Sequence, residues 1–486
     1  MKRSKFCYFN QSNFIMTNAI FLSLSVDTNA PEPLFQQIYE GLSQLIITGK
    51  LESGARLPAT RTFAGELGVS RSTVVTAYDQ LIAEGYGEAR AGAGIFVCDV
   101  GAFTALGKPH KSVILKPSQP SPERPRYFEP GIPDMRLFPY EAWGRHVSRS
   151  ARSATREIIT TSDKFGNMRL RQAIASHLSE WRGIEAAPEQ ILVTAGAGNA
   201  LEIAMRALTK PGQVIALEDP GYAPMRRVAM SLGLSPLWMK VGEQGAECPK
   251  KFDVAPILTI LTPSHQFPLG GAMPTGQRNR FLAFAEETGG WIIEDDFDSE
   301  FRYAGRPIPA LAALDHIQRV IYIGTFSKIF SSGLRLGYMV VPEKLLSVFG
   351  QILRDFGVST SIAPQLPLAT FMEDGEFHRH IRRMRRTYGA RQRTFVELLH
   401  SELGQMASHK NHLAGMQIAL ELPKNTNDVA ISKEAEVQNL ICPPLSAFYA
   451  GNHGQPGLLM GYSSISQEEM LVPLQILAKI IRKYRG

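Results

Sequence analysis

The sequence predicts an α/β protein: a large region built on a mainly parallel sheet, preceded by a small helical region that ends in a wing. Two observations carry the prediction. From about Tyr127 onward, short apolar runs (QILVTAG, QVIALEDPG, APILTILTPS, GWIIEDD, RVIYIGTFS) alternate with helix-length segments. That alternation marks parallel strands covered by helices on both faces. Before residue 100, two short helical patterns meet at a Gly-Val-Ser turn, and a strand–glycine–strand pattern follows. This reads as a helix-turn-helix with a wing.

The totals bound the rest. At 486 residues the chain exceeds what one core usually holds, so two or three domains are expected. They divide as an extension over residues 1–30, a winged helix-turn-helix over 31–99, a linker over 100–126 and the α/β region over 127–486. The linker contains KPHKSVILKPSQPSPERPR, too rich in Pro, Ser and basic residues to build a core. Hydrophobic residues make up 44% of the chain, so a large core can be buried. The net charge of +7 permits a polyanionic partner. Cys7, Cys98, Cys248 and Cys442 lie far apart with no C-x-x-C pair; no metal site and no disulfide framework is expected, and reduced thiols in the cytoplasm are. No run of 18 apolar residues occurs, so no membrane span is expected. The start, MKRSKFCYFNQSNFIMTNAIFLSLSV, imitates a signal peptide, but polar residues interrupt its apolar part and no small-residue cleavage site follows. It reads as a disordered extension, with Met16 as an alternative translation start.

In the first region, Leu34 to Thr48 places Ile38, Leu42, Leu45 and Ile46 on one helical face, and Gly49 stops the helix. Thr60 is the candidate N-cap of a short helix through Leu67. Ser70 caps a second, RSTVVTAYDQLIAEG, with Val74, Ala77, Tyr78 and Leu81 as its buried stripe. This second helix would enter the major groove of double-stranded DNA, its N-terminal residues facing the bases. YGEARAGAGIFV supplies the wing. Between Ala30 and Cys98, five Lys/Arg stand against seven Asp/Glu, a net charge of −2. Affinity must then come from placed arginines and from dimeric binding.

In the second region the chemistry gathers around GTFSKIFSSGLRLGY. Lys328 follows the expected strand VIYIGT, and ligands of α/β sheets bind at the carboxyl ends of strands. Burial there lowers a lysine's pKa and frees the amine for a Schiff base. Thr325, Ser327 and Arg335 can hydrogen-bond a phosphate. Pyridoxal phosphate needs a lysine for its aldehyde, a carboxylate for its ring nitrogen and a phosphate cup. Asp295, at the end of an apolar strand 33 residues before Lys328, is the candidate carboxylate. In VTAGAGNALEIA, the backbone N–H groups of Gly196, Ala197 and Gly198 could cradle a phosphate at a helix N-terminus. Tyr222, in EDPGY, could stack on the ring. Each piece alone is weak; in order, each after an apolar strand, they reinforce one another.

The stretch RLPATRTFAGELGVSRSTVVTAYDQLIAEGYGEARAGAGIFV resembles the winged helix-turn-helix of the GntR family. The resemblance implies phosphate or base contacts from Arg61, Ser70, Arg71, Thr73 and wing Arg90, with Gly92 and Gly94 letting the wing approach the backbone. PGIPDMRLFP, LRQAIASHL, TAGAGNAL, EDPGY, TPSHQFPLG, EDDFDSEFRY, TFSK and GLRLGY resemble the fold-type I aminotransferases, whose fold adds a smaller C-terminal α+β subdomain. From about Pro33 to the end, the chain resembles the MocR subfamily of GntR regulators. This implies pyridoxal 5'-phosphate held by Lys328 as an internal aldimine, Asp295 on the pyridine nitrogen and Tyr222 stacked on the ring. It also implies Arg335, Ser327 and the Gly196–Gly198 turn on the phosphate. His265 and Gln266 lie where aminotransferases approach the ring hydroxyl. A homodimer is implied too, since this fold places its active sites near a two-fold interface.

Three departures qualify the resemblance. The tyrosine expected two residues after Asp295 is Phe297, so one hydrogen bond to the ring hydroxyl is lost. The phosphate turn has Ala197-Gly198 where relatives often have a polar residue. The stretch GLLMGYSSIS (457–466) lacks the arginine that holds a substrate carboxylate in aminotransferases, leaving Arg226 or Arg227 as substitutes. The leading reading is a transcriptional regulator that senses a small amine, an amino acid or pyridoxal phosphate itself. A catalytically active aminotransferase and a module that has lost its cofactor are the alternatives. The basic run HRHIRRMRRTYGARQR (378–393) reads as a solvated or dimer-contacting face, with an auxiliary contact to DNA phosphates left open.

Overall fold

The structure, a computed structural model, describes residues 21, 24–28, 30–99, 126–153, 163–250, 253–305, 308–357, 360–410, 413–451 and 454–484. Residues 1–20 and 100–125, which hold most of the expected extension and linker, lie outside the described residues. The chain divides into two compact units, Met1–Ser121 and Pro122–Gly486. No helix among the described residues is long and apolar enough to cross a membrane.

The first unit packs α1 (Leu34–Ile47), α2 (Thr60–Leu67) and α3 (Arg71–Ala83) beside an antiparallel pair, β1 (Gly87–Arg90) and β2 (Gly94–Val97). Ile38, Leu42 and Ile46 of α1 meet Val74, Ala77, Tyr78 and Leu81 of α3 in one apolar core. Phe21, Leu24 and Val26, assigned to the extension by sequence, contribute to this core. Phe21 is buried and lies edge-on to Phe63 with ring centroids 5.7 Å apart, an arrangement that the ring quadrupoles favour. Ser70 caps α3 as expected, its Oγ accepting from Thr73 N at 3.2 Å. Thr60 does not cap α2. Ala59 holds the cap position, and Thr60 Oγ1 accepts from Arg71 Nε at 3.4 Å instead.

The second unit begins with α4 (Tyr140–Ser153) and α5 (Met168–Arg182). Strands and helices then alternate: β3 (Ile191–Thr194), α6 (Ala197–Leu208), β4 (Val214–Asp219), α7 (Ala223–Ser231), β5 (Ser235–Gly242), β6 (Gly245–Ala246), β7 (Leu258–Leu261), α8 (Thr275–Thr288), β8 (Trp291–Asp296), β9 (Val320–Thr325) and β10 (Gly337–Val340). They form an eight-stranded sheet in the order β3-β10-β9-β8-β7-β4-β5-β6. The β5–β4–β7–β8–β9 pairs are parallel, whereas β10 runs antiparallel to both β9 and β3. Alternate residues of each strand enter opposite cores, as the two-residue period requires. Leu192, Ile321, Ile323 and Met339 pack toward α6, α7 and α9 (Leu346–Phe356). Ile191, Val193, Tyr322 and Tyr338 pack toward α5, α10 (Gln365–Glu373) and α11 (Glu376–Leu403).

The chain ends in a smaller α+β part. An antiparallel sheet of β11 (Ser408–His409), β12 (Gln417–Glu421) and β13 (Gly457–Gly461) packs with α12 (Asp428–Val437) and α13 (Leu471–Lys483). Its core joins Ile418, Leu420, Leu458, Met460, Leu474 and Leu477. The arginine-free stretch noted above is β13, whose Leu458, Leu459 and Met460 are all buried.

Candidate functional site

In the first unit, the residues expected to touch DNA sit on α2 (Arg61), at the start of α3 (Ser70, Arg71 and Thr73) and on the wing (Arg90 and Gly92). Arg61, Ser70, Arg71, Arg90 and Gly92 are exposed, and Thr73 is half-buried. Ser70 and Thr73 are joined through their hydroxyls at 2.8 Å, so both serve the helix start. Arg90 pairs with Glu88 at 2.5 Å and lies 4.5 Å over the Phe96 ring. An exposed pair of this kind is weak, so it holds the arginine without neutralising it for a polyanion. Gly92 has φ +73° and Gly94 φ +108°, conformations that glycine adopts without steric penalty, and the wing's tight turn requires them.

In the second unit, five segments reach the carboxyl edge of the sheet. They are the turn after β3, EDPGY after β4, TPSHQF after β7, the end of β8, and TFSK after β9. Parallel strands put all five at one edge, which is why residues far apart in sequence converge. Lys328 is partly buried and its Nζ donates to Gly131 O at 2.8 Å. A Cβ on Gly131 would lie 2.6 Å from Nζ, so only glycine leaves the amine its place. Thr325 Oγ1 accepts from Ser327 N at 3.1 Å and shapes the turn before the lysine. Gly196, φ +94°, caps α6 and leaves the N–H groups of Ala197 and Gly198 at the helix start. A Cβ on Gly337 would lie 2.8 Å from Gly196 Cα, and Gly337 pairs with Thr325 and Thr194. The phosphate turn and the Lys328 segment are therefore adjacent. Arg335 is exposed, with φ +47° at the end of the turn after Lys328.

Strand alternation explains which acid of WIIEDD faces the site. Glu294 accepts from Leu311 N and Ala312 N, and Asp296 accepts from Tyr322 Oη at 2.6 Å and pairs with Arg182. Asp295 points the other way. It is buried and its Oδ1 has no hydrogen-bond partner among the described residues. Burial, then the charges of Asp296 and Glu218, push its carboxyl up to about 7 against a partial counterweight from Lys328. Burial lowers the Lys328 amine below its usual range, with Asp298 and Asp295 opposing. His265 is buried, 2.9 Å from Asp298 Oδ1. Burial disfavours its charge, but Asp298 outweighs that and holds the imidazole above its ordinary value. Tyr222 is exposed, edge-on to Phe267 at 5.6 Å, and the Asp295 charge contributes to its raised pKa after burial.

Sequence reasoning missed four residues here. Gly131 accepts from Lys328 Nζ, and a Cβ placed on Gly131 would lie 3.6 Å from Gln417 Oε1, so Gln417 borders the same spot. Asp298 orients His265. Glu218, buried and pushed up to about 7 by desolvation, accepts from Thr262 Oγ1 at 2.5 Å. The signal for Asp298 was present in EDDFDSE, where a third acid follows the pair. Gln417 carried none, since it comes from the C-terminal part. Gln266 is not free for a ligand: its Nε2 donates to Pro220 O at 3.0 Å and holds the EDPGY turn. Phe297 packs 5.7 Å from both His265 and Phe267. Arg226 donates to Tyr449 O at 2.8 Å, and Arg227 is exposed.

A DNA-reading wing and an aminotransferase-type cleft in one chain define a transcriptional regulator with an aminotransferase-like domain. Comparison with known proteins agrees on both halves. Residues 34–97 match the family of bacterial regulatory proteins, gntR family, and residues 133–459 match aminotransferase class I and II. The chain is 36% identical over 460 residues to the probable rhizopine catabolism regulatory protein MocR of Rhizobium meliloti, covering 92% of this chain and 93% of that protein. It is 32% identical over 451 residues to the HTH-type pyridoxine biosynthesis transcriptional regulator PdxR of Corynebacterium glutamicum, covering 92% and 96%. Among solved structures it resembles LysN, the alpha-aminoadipate aminotransferase of Thermus thermophilus complexed with N-(5'-phosphopyridoxyl)-L-leucine. That match has a TM-score of 0.67 and 26% identity, and covers 74% of this chain and 92% of that one. The chain belongs to the MocR-type regulators of the GntR family.

The aminotransferase match and these neighbours indicate pyridoxal 5'-phosphate as the cofactor. The residues present fit it. The orphaned Asp295 Oδ1 is the buried acceptor that a protonated ring nitrogen needs, and a buried carboxyl without such a partner is costly. Lys328 offers an amine depressed toward neutrality. The α6 start offers unclaimed N–H groups to a phosphate dianion.

Proposed function

We propose that this regulator senses a small amine, an amino acid or pyridoxal phosphate through the cleft at Lys328, and that occupancy there changes the DNA affinity of its winged helix. The observation that supports this best is the placement of Lys328, a depressed amine between Asp295 and Asp298 at the strand ends. The cofactor supplies an aldehyde that condenses with an amine and releases water. Lys328 Nζ is the chain's amine for that bond, and an effector amine would compete for the same carbon. Asp295 would hold the proton on the ring nitrogen, Tyr222 would cover the ring, and Arg335, Ser327, Thr325 and the Gly196–Gly198 turn would carry the phosphate. His265, steadied by Asp298, would sit beside the ring. Lys328 bound to the cofactor would give up the free-amine tie to Gly131 O, and release by an effector would restore it, giving two states that an effector can populate unequally, as any ligand-driven switch requires. We read the working form as a cytoplasmic homodimer whose two winged helices bind two half-sites.

One observation keeps a second reading. Lys328 and Asp295, the pair that transamination would use, are both present in this chain, which is 26% identical over 362 residues to the 2-aminoadipate transaminase of Thermus thermophilus. Against efficient turnover, Phe297 cannot bond the ring hydroxyl, and β13 offers only Leu458, Leu459 and Met460 where a carboxylate-binding arginine would stand. The test is the visible absorption spectrum of purified protein titrated with amines and amino acids, beside Lys328→Ala. The expected result is a cofactor band that depends on Lys328 and shifts stably with one amine class. Progressive conversion to the pyridoxamine form with release of a keto product would establish the enzyme instead. No band in the wild type would overturn the cofactor reading.

A further inference from the structure

The helix α11 carries the positive charge that the DNA-reading unit lacks. Over residues 378–393 it has seven arginines and no Asp or Glu. Two of them are drawn into the fold, and a third, Arg383, donates to Leu137 O from the surface. Arg391 is buried and donates to Asp134 Oδ2 at 2.7 Å, and Arg385 donates to Arg302 O and lies 5.5 Å over Trp181. The other five, Arg379, Arg382, Arg383, Arg386 and Arg393, are exposed. Their spacing puts them on one helix face, directly opposite Phe377, Ile381, Met384, Tyr388 and Phe395, which α11 buries. The stripe is about 21 Å long at 1.5 Å per residue.

This stripe and Arg302 line a groove of about 1020 Å³ in which Glu376 is the one carboxylate. Glu376 is already paired with Arg379 at 2.9 Å. Arg302 Nε is buried with no hydrogen-bond partner among the described residues. Arg382, Arg386 and Arg393 form no hydrogen bond or ion pair with another described residue. Arg379/Arg383 and Arg382/Arg386 set like charges four residues apart, which destabilises a bare helix. A merely solvated face would gain from interspersed acids, and this one has only Glu376 at its end. A line of anions laid in the groove would turn that repulsion into attraction.

We infer that this groove binds the phosphate backbone of double-stranded DNA, as a contact separate from the winged helix and independent of base sequence. The chain already belongs to a DNA-reading family, and its reader carries a net charge of −2 between Ala30 and Cys98. A basic stripe elsewhere in the chain would add phosphate-neutralising charge to that of the reader's placed arginines. B-DNA presents one negative charge per about 1.7 Å of axis, so a stripe of this length meets several phosphates. Arginine stays charged at every working pH and grips phosphate bidentately.

The test uses the full chain and a labelled duplex of random sequence, about 60 bp long, followed by fluorescence anisotropy from roughly 50 to 200 mM salt. It compares wild type, Arg382→Ala/Arg386→Ala/Arg393→Ala, the corresponding triple Lys variant, and Arg71→Ala as the winged-helix reference. The triple Ala variant is expected to flatten the plot of log K against log salt by about 2.7, from about 0.9 per lost phosphate contact, and to bind ~100-fold more weakly at about 100 mM. The triple Lys variant should keep most of the slope. Sedimentation and the cofactor band should be unchanged, because the three arginines hold nothing else in place. An unchanged slope would overturn the proposal. So would loss of slope together with loss of the dimer, which would make the groove a contact between copies. Tight binding of inorganic polyphosphate without an effect of the variants on DNA would also overturn it. No effector enters the experiment, so its outcome is independent of the reading of Lys328.

Discussion

Asp295 bears an electrostatic load that its neighbours on the strand do not. Glu294 and Asp296 face partners that neutralise them, while Asp295 faces Lys328, Glu218 and the cleft. Without cofactor its carboxyl stays protonated up to about pH 7, whereas in the unfolded chain it ionises near 3.8. Between those values the folded state holds a proton that the unfolded state has released, so stability falls as pH rises through this window. Asp295→Asn removes that dependence. Urea unfolding of cofactor-free protein should show the variant more stable at about pH 8, by up to about 4 kcal/mol, and the gain should vanish toward about pH 4. The same variant should bind pyridoxal phosphate more weakly, since the amide cannot pair with a charged ring nitrogen. Equal midpoints at both pH values would mean that water already solvates the carboxyl. Much of this site was legible in the sequence because its residues end apolar strands, and strand ends are where α/β proteins bind ligands. What was not legible came from outside that pattern. Gly131 accepts from Lys328 from a segment 197 residues before it, and Gln417, 89 residues after the lysine, borders Gly131; no local period announces such approaches. Gln266 shows the converse: its segment was identified, but its amide is spent on the EDPGY turn.

At the scale of elements, the start of α3 joins stability and DNA reading in one side chain. Ser70 Oγ accepts from Thr73 N, and both residues sit at the end of the helix expected to face the bases. Ser70→Ala should cost about 1 kcal/mol of first-unit stability, the usual value of an N-cap. It should also weaken DNA binding by more than that fraying explains. Chemical denaturation and anisotropy on the same variant separate the two effects. Ser70→Asp restores the cap but adds a negative charge; its stability should recover while its DNA affinity does not. The apolar runs chosen from the sequence all became strands. The antiparallel β10 was missed because Gly337–Val340 is four residues long and follows a glycine-containing turn, so length and flanks gave no strand signal. Thr60 was misread as a cap because a threonine before a helical run satisfies the pattern equally well at the first helical position. Its hydroxyl is instead engaged by Arg71. Such choices are decided by tertiary partners, which periodicity does not encode.

For the whole molecule, the two units face different thermodynamic tests. The winged-helix unit is small, and small units bury a lower fraction of the surface that their unfolded chain exposes. The larger unit has several apolar cores and a ligand site within it. A ligand that binds only the folded form stabilises the unit holding its site by RT ln(1 + [L]/Kd), about 2.7 kcal/mol at a hundredfold excess over Kd. Differential scanning calorimetry of the full chain should therefore resolve two transitions, and pyridoxal phosphate should raise only that of the larger unit. Lys328→Ala should shrink the shift, because the covalent part of the binding is gone, while leaving the other transition where it was. If both transitions rise together with the cofactor, the units unfold as one. The effector signal would then reach the winged helix through shared stability rather than through a change in arrangement. Adding a DNA duplex distinguishes these cases further. With independent units and a reader-only contact, DNA raises the winged-helix transition alone. With the arginine groove engaged, DNA raises the larger unit's transition as well, and the Arg382/Arg386/Arg393 variant abolishes that second rise while preserving the first.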